Sequence, residues 1–258
     1  MPTLACGGAQ TTKKTPMTKR IKLGMLTPSS NTALEPITSA MVSGLPNVSA
    51  HFSRFTVTEI SLRDQALGQF DLEKILNAAK LLADAHVDVI AWNGTSSGWL
   101  GFEKDEALCR QITEATGIPA TTSVLALNEI LAKTGARDFA LVTPYLDDVQ
   151  QRIVQNYARH GFKCVAERHL DLHVNHSFAD VEEDTIRTLV RDVAQQKPAA
   201  ITTFCTNLRA AHLVEALEAE TGIPVYDTIS TVVWKSLRLA GVDTRELSGW
   251  GRLFSDVA

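Results

Sequence analysis

The sequence predicts an α/β protein made of two similar halves, each a parallel sheet with helices on both faces. Short apolar runs rich in β-forming residues alternate with helical patterns along the chain, and this alternation is typical of parallel sheets. Three short motifs of the first half also recur in the second half, in the same order and about 110 residues later. A chain of 258 residues is long enough for two such cores.

The repeat also predicts a cleft between the halves. Two halves related by a pseudo-two-fold axis would bring the loops at their strand ends together, with Gly94 facing Cys205 across the cleft. Ligands of open α/β sheets bind outside the carboxyl ends of the strands, so we expect the active site there. The paired motifs are Leu26-Thr27-Pro28 with Val142-Thr143-Pro144, Gly94-Thr95-Ser96 with Cys205-Thr206-Asn207, and Thr116-Gly117-Ile118-Pro119 with Thr221-Gly222-Ile223-Pro224.

In the first half, a separate sequence pattern predicts each strand and each helix. The strands are short apolar or alternating runs, and small polar residues or a proline follow them. The helices show apolar residues every three or four positions, and the last of them stops at Gly117. These signals place strands at 21–26, 51–57 and 87–92, and helices at 32–42, 72–85 and 103–116.

The second half repeats this order of strands and helices. Its first loop again carries Thr-Pro and opens a helix, and its last helix is closed by Gly222 and a proline. A β-prone run ends at Phe204, so that Cys205 lies at the carboxyl end of a strand. The signals place strands at 138–142, 164–170 and 199–204, and helices at 125–133, 149–160, 184–195 and 209–220.

The composition and the charge of the chain argue against some classes of function. Hydrophobic residues make up 45% and charged residues 21%, and the formal charge of −4 is mild, so neither nucleic-acid nor membrane binding has electrostatic support. Four dispersed cysteines without zinc-like spacing and no long apolar run indicate a cytoplasmic protein. We predict a flexible leader over 1–20, a first half over 21–127 completed by 226–258, and a second half over 128–225.

Four loops at the strand ends collect the residues that carry chemistry. They are rich in hydroxyls, amides and helix-starting N–H groups, and they contain no lysine or arginine. Such loops suit a carboxylate or an enediolate anion that is held by dipoles. A thiol at a strand end is better placed for chemistry than one inside a strand, so Cys205 is the candidate catalytic residue. Trp92 and Trp99 are assigned to the core, and no metal site is predicted.

The ordered motifs resemble those of the aspartate/glutamate racemase superfamily, and within it the branch of arylmalonate decarboxylases and maleate cis-trans isomerases. The resemblance implies two flavodoxin-like (Rossmann-like) halves, a site without a cofactor, and one cysteine per half acting on opposite faces of a carbon. This chain has Cys205 but carries Gly94 at the place of the first cysteine. The matching residues are Thr27-Pro28-Ser29-Ser30-Asn31, Gly94-Thr95-Ser96, Thr143-Pro144-Tyr145, Asp147-Asp148-Val149, Cys205-Thr206-Asn207 and Gly249-Trp250-Gly251-Arg252-Leu253-Phe254.

The resemblance favours a cofactor-independent decarboxylase of a 2-substituted malonate-type acid. Arylmalonate decarboxylases also carry Gly-Thr-Ser at this point and use a single cysteine, which protonates the enediolate left when carbon dioxide departs. Carried over, Cys205 becomes the proton donor. The groups that would hold the enediolate oxygens are Thr95, Ser96, Tyr145 and the backbone at Thr206.

Two alternatives stay open. Maleate isomerases place carboxylate-binding amides where this chain has Asn31, in the loop with Ser29, and Asn175, which suits a cis-trans isomerase or racemase of a small dicarboxylate. The loss of one cysteine would also suit a non-catalytic protein that binds small carboxylates. In each case the partner is a small carboxylate or dicarboxylate, and self-association into a homo-oligomer is left open.

Overall fold

A computed structural model describes residues 19–60, 62 and 72–257. It contains two four-stranded parallel sheets flanked by helices, which confirms the predicted α/β fold with two similar halves. Of the predicted leader, residues 1–18 lie outside the described residues. Lys19, which follows them, forms an ion pair with Asp88 at 2.7 Å. The predicted domain boundaries stay a prediction.

The first sheet has the strand order β2-β1-β3-β4. Every neighbouring pair of strands is parallel. Helix α2 buries one face of its amphipathic pattern against the sheet, as the sequence predicts. The elements are β1 (Ile21–Pro28), α1 (Leu34–Val42), β2 (Val48–Phe55), α2 (Leu72–Asp84), β3 (Val89–Trp92), α3 (Ser97–Leu100), α4 (Phe102–Thr116), β4 (Ala120–Thr122) and α5 (Ser123–Thr134).

The second sheet has the corresponding order β6-β5-β7-β8, again parallel throughout. Three 3-10 turns, at Asn175–Asp180, Ala211–Leu213 and Thr244–Glu246, lie in its connections and near the carboxyl terminus. The elements are β5 (Asp138–Thr143), α6 (Asp147–Arg159), β6 (Lys163–His169), α7 (Glu183–Ala194), β7 (Ile201–Thr203), α8 (Val214–Thr221), β8 (Val225–Asp227), α9 (Thr228–Leu239) and α10 (Leu253–Asp256).

Glycines end two helices at corresponding places of the repeat. Gly117 follows α4 with φ of 71°, and Gly222 follows α8 with φ of 73°. Left-handed backbone of this kind costs a side chain-bearing residue energy that glycine avoids. Each glycine therefore turns the chain directly into the short edge strand, β4 or β8, of its own sheet.

The sequence did not predict five of the named strands and α-helices, namely β4, β8, α3, α9 and α10, and one predicted helix begins later. Strands β4 and β8 have three residues each and run directly into helices α5 and α9, so neither shows a strand-length pattern. Most of α9 is buried, because it packs against α5 and reaches both sheets. The helix predicted at 209–220 starts as a 3-10 turn and becomes α-helical at Val214.

No helix in the described part of the chain is long and apolar enough to span a membrane.

Candidate active site

Cys205 lies two residues beyond the end of β7, in a tight loop against the first half. Its side chain is 3% exposed. Its Sγ accepts a hydrogen bond from the backbone N–H of Asn207, with an N···S distance of 3.4 Å, and it also interacts with the N–H of Leu208. The loop therefore turns the Asn207 N–H toward the sulfur, while the Leu208 N–H beside it donates to the Cys205 carbonyl at 3.1 Å. A donor at the sulfur stabilises negative charge there.

The Tyr145 hydroxyl connects Cys205 to the first half. It forms a hydrogen bond with Thr95 Oγ1 at an O···O distance of 2.6 Å and a second hydrogen bond with Cys205. Tyr145 is buried, and the edge of its ring packs against Trp99 at a centroid distance of 5.4 Å. Burial, the first cause, and the neighbouring sulfur raise the pKa of Tyr145 well above its ordinary value. The phenol therefore stays protonated and keeps its donor.

The thiol of Cys205 is neutral near pH 7. Burial raises its pKa to about 11, against the opposing effect of hydrogen bonds from Tyr145, Asn207 and Leu208, and the charge of Asp227 adds to the rise. A neutral thiol holds a proton that it can give, whereas a nucleophile would need the thiolate. The resting protonation state therefore suits a proton donor.

A cavity brings Cys205 together with most of the predicted site residues. Its walls combine apolar and polar side chains from both halves, and of the described residues that line it none carries a charge. The outer wall is formed where residues 58–60 pair with residues 173–175. The lining residues are Pro28, Val57, Ile60, Trp92, Gly94, Thr95, Ser96, Trp99, Tyr145, Asn175, Cys205 and Thr206.

The size of the cavity has a consequence for binding. Its volume is about 20 Å³, which is enough for a water molecule. A malonate is several times larger, so part of the wall must move when a substrate of this kind binds. Trp92 and Trp99, which the sequence analysis assigned to the core, are buried as predicted and also line this cavity.

The wall on the Gly94 side is closed by an indole ring. A Cβ atom built on Gly94 would lie 1.9 Å from Cζ2 and 2.3 Å from Cε2 of Trp92. Trp92 itself packs against the ring of Phe55 at a centroid distance of 5.0 Å. Position 94 therefore tolerates no side chain while Trp92 keeps this conformation.

Ser29 and Asn31 differ from the expectation, because neither lines the cavity. The Ser29 hydroxyl bonds to the backbone of Val57. The Asn31 amide donates to the carbonyl and the hydroxyl oxygen of Thr206 at 3.0 and 3.3 Å, while its Oδ1 accepts from the first N–H groups of α1. Their polar atoms are thus used within the protein, and direct contact with a substrate has no support in this geometry.

The other predicted residues surround the thiol. Asn175 lines the cavity and donates to Ser30 Oγ at 2.8 Å. The Thr206 hydroxyl donates to the carbonyl of Asn93 at 2.8 Å and so joins the loops that carry Gly94 and Cys205. Ser96 lines the cavity next to Thr95. A serine hydroxyl, an amide and a neutral thiol thus line one small space.

Asp227, at the end of β8, was missed by the sequence analysis. It is buried, accepts a hydrogen bond from Thr203 at 2.7 Å, and caps α9 through the N–H groups of Ile229 and Ser230. Burial raises its pKa to about 7 in spite of these donors. The signal that could have identified it was an Asp followed by Thr and Ser before an apolar helix.

Among the residues that the structure describes, no group of three or more His, Cys, Asp or Glu side chains is arranged to hold an ion. The described groups that line the cavity are a thiol, hydroxyls, an amide and backbone groups beside apolar side chains.

Comparison with known proteins matches this arrangement to one family. The family model for arylmalonate decarboxylase matches residues 23–254. An arylmalonate decarboxylase from Bordetella bronchiseptica is 29% identical over 188 residues, which cover 72% of this chain and 78% of that protein. A maleate isomerase from Geobacillus stearothermophilus is 23% identical over 239 residues, covering 88% and 95% of the two chains.

Solved structures agree with the sequence comparisons at the level of the fold. The maleate isomerase Iso from Pseudomonas putida S16 has a TM-score of 0.83 at 21% identity, covering 93% of this chain and 100% of its own. A crystal structure of arylmalonate decarboxylase has a TM-score of 0.73 at 25% identity, covering 91% and 99%. The predicted enzyme class, a decarboxylase or isomerase of the aspartate/glutamate racemase superfamily, is confirmed by these relatives. Since the family model spans nearly the whole of both sheets, the chain belongs to the arylmalonate decarboxylase family.

Proposed function

We propose that the protein decarboxylates a 2-substituted malonate-type acid without a cofactor, and that Cys205 protonates the resulting enediolate. The observation that carries the proposal is a neutral thiol in a cavity that Gly94 also lines, with no second cysteine among the described residues of its lining. One thiol is sufficient for a reaction that delivers one proton to one face of a carbon. A two-sided exchange would require a second acid or base.

The proposed reaction begins with cleavage of the bond between the α-carbon and one carboxylate. Carbon dioxide leaves, and the electron pair stays on the remaining carbon and carboxylate as an enediolate. The Ser96 hydroxyl and the backbone at Thr206 line the cavity as uncharged donors for its oxygens, while Thr95 lines it beside them and directs its hydroxyl at Tyr145. Because these donors carry no positive charge, they suit an anion whose charge is spread over several atoms.

Protonation then completes the reaction. The α-carbon takes the proton of the Cys205 thiol, which becomes a thiolate. Tyr145 and the backbone N–H of Asn207 donate hydrogen bonds to the sulfur, so they stabilise the thiolate in the moment after transfer. A proton from water restores the thiol before the next turnover. The electrons and protons balance without an oxidant or a metal in the scheme.

The test is a substrate panel followed by proton NMR in deuterium oxide, with phenylmalonate and maleate as the first two members. We expect phenylacetate with one deuterium at the α-carbon from phenylmalonate. Cys205→Ala should lower the rate by a factor on the order of 10² to 10⁴, the usual contribution of general acid catalysis. Cys164→Ala, at a half-buried cysteine in β6, is the matched control and should keep the parent rate. Equal rates in parent and Cys205→Ala would contradict the proposal.

A cis-trans isomerase of a small dicarboxylate is the second candidate. It is favoured by Asn175, which lines the cavity and could bind an additional carboxylate. It is also favoured by the longer match to a maleate isomerase, which covers 88% of this chain, compared with 72% for the arylmalonate decarboxylase. One solved relative, a variant of the Nocardia farcinica maleate cis-trans isomerase, holds a covalently bound succinylcysteine intermediate. Conversion of maleate to fumarate in the same NMR series, with phenylmalonate left unchanged, would favour this candidate over the decarboxylase.

A further inference from the structure

Trp92 occupies the volume in which a side chain at position 94 would begin. The three nearest atoms to a Cβ on Gly94 all belong to its indole ring, at 1.9, 2.3 and 2.6 Å. Carbon atoms that are not bonded to each other do not approach this closely, so the ring would have to move. It is 1% exposed and packs against Phe55, and the cavity beside it, at about 20 Å³, is far too small to receive it.

We propose that Trp92 is a specificity-determining residue, because its indole ring fills the place of a second thiol and makes the site one-sided. The inference rests on the proposed function. A cysteine at position 94 would place an acid or base opposite Cys205, since both positions line the same cavity. With Trp92 in place, that side presents an aromatic surface that neither donates a proton to carbon nor admits water.

The loops on both sides of Gly94 are tied to the loop of Cys205. On one side the Thr206 hydroxyl donates to the carbonyl of Asn93, and on the other side Thr95 bonds to Tyr145, which bonds to Cys205. The backbone around Gly94 is therefore held from both ends. It cannot retreat to make room for a side chain, so relief has to come from the ring. Gly94 and Trp92 thus form a coupled pair.

One stereochemical consequence follows for a malonate with two different substituents on the α-carbon. Its enediolate receives the proton from Cys205 on one face, and the other face stays covered by the indole. The product therefore has a single configuration. A smaller residue at position 92 would uncover the second face to water, and would lower the enantiomeric excess of the product.

The experiment is a double-mutant cycle with Gly94→Cys, Trp92→Leu and the combined variant. The first readout is thermal unfolding, which does not depend on activity. Gly94→Cys alone should lower Tm by about 3 to 10 °C, because it overpacks a buried site. In the Trp92→Leu background the same substitution should lower Tm no further. Gly94→Ala should show the same coupling without a thiol. Gly44→Ala, where a Cβ meets no atom within 4 Å, is the matched control and should show none.

The second readout is exchange of the α-proton of one enantiomer of a 2-arylpropionate in deuterium oxide. The combined variant should exchange and racemise it more than about tenfold faster than Gly94→Cys alone, since a second proton carrier then has room to act. A Gly94→Cys variant that keeps the parent Tm and racemises as fast as the combined variant would overturn the proposal. So would coupled Tm values without any gain of exchange in an enzyme whose parent decarboxylates. If the Tm values are coupled but neither parent nor variants turn over malonates, the failure lies in the proposed function, and the steric part of the inference is supported.

Discussion

The role of the Tyr145 hydroxyl can be tested separately from the packing of the Tyr145 ring, because replacement by phenylalanine removes the hydroxyl alone. Its hydroxyl bonds to Thr95 and to Cys205, and burial keeps it protonated. When the sulfur has given up its proton, the phenol donates to the thiolate and Thr95 donates to the phenol. Tyr145 thus acts on the charge that Cys205 acquires, and Thr95 supports it from the opposite half.

Tyr145→Phe is expected to slow decarboxylation by about tenfold to a hundredfold. A hydrogen bond to a charged group contributes about 1.5 to 3 kcal/mol, and the substitution removes one from the thiolate. Loss of this donor should also raise the pKa of Cys205 further. Steady-state rates with phenylmalonate check the first expectation, and the pH dependence of thiol alkylation checks the second.

The control for this prediction is the same substitution at Tyr157. That side chain is also buried, but its hydroxyl has no hydrogen-bond partner among the described residues. Removing an unsatisfied hydroxyl is neutral or stabilising, so Tyr157→Phe should keep the parent rate and the parent Tm. Equal losses of rate in the two variants would assign the effect to packing and contradict the role of the Tyr145 hydroxyl.

Which side chains face the cavity could be predicted in part. The motifs around Cys205, Gly94 and Tyr145 brought six of the nine predicted residues to one cavity, which Asn175 also lines, because strand-end loops of parallel sheets converge. Ser29 and Asn31 turn away into backbone hydrogen bonds. The conformation of a single turn decides such directions, and a sequence motif does not specify it.

At the scale of elements, short edge strands were the hardest part of the fold to predict. Each of β4 and β8 pairs with one neighbour over three residues, and the next residue already belongs to a helix. Apolar periodicity needs more residues than this to appear. The long strand β1 and the amphipathic helix α2, in contrast, were predicted to within a few residues. Tertiary pairing, which the local sequence does not contain, creates the edge strands.

Asp227, which caps α9, makes the free energy of unfolding depend on pH. The pKa of its carboxyl is near its ordinary value of 3.8 in the unfolded chain, and burial raises the pKa to about 7 in the folded protein. Below about pH 4 the group is protonated in both states. Between about pH 4 and 7 the unfolded chain loses this proton while the folded protein keeps it. Stability therefore falls as pH rises through this window, by about 1.4 kcal/mol per pH unit.

Asp227→Asn should remove this dependence and stabilise the protein at pH 8 by roughly 1 to 4 kcal/mol, because asparagine is an equally good N-cap and carries no charge to bury. Urea unfolding at pH 5, 6, 7 and 8 measures the free energy of unfolding. The buried Asp105, whose pKa is raised to about 6 by burial, contributes to the slope below pH 6. The interval from pH 6 to 7 is therefore the one in which Asp227 dominates.

The control for this element is Asp243→Asn. Asp243 also caps a short helical turn, but it is paired with Arg245, and its pKa is lowered to about 2. Its stabilising charge is present above pH 4, so the substitution should leave the slope between pH 6 and 7 unchanged. Identical slopes in the parent and in Asp227→Asn would show that the carboxyl of Asp227 is already ionised at pH 6.

At the scale of the whole molecule, the two sheets are joined by side chains that surround the cavity. Asn207, beside Cys205, accepts hydrogen bonds from the N–H groups of Thr32 and Ala33 at 2.9 and 3.2 Å. Its amide donates to the carbonyl of Asn175 at 2.6 Å. A residue of the second half therefore caps the first helix of the first half, whose N-cap residue Ala33 has no side-chain acceptor of its own.

Asn207→Ala should lower the free energy of unfolding by about 2 to 4 kcal/mol, because buried donors and an acceptor lose their partner together. The Asn31 side chain still accepts from the N–H groups of Ala33 and Leu34, so the loss stays below the sum of three separate bonds. Urea unfolding measures this change, and kcat/KM should fall with it, since the same contacts hold the loop of Cys205 against the opposite half. Asn47→Ala, at an exposed asparagine, is the matched control and should change neither quantity. An Asn207→Ala variant as stable as Asn47→Ala would mean that the hydrogen bonds of Asn207 do not help to hold the halves together.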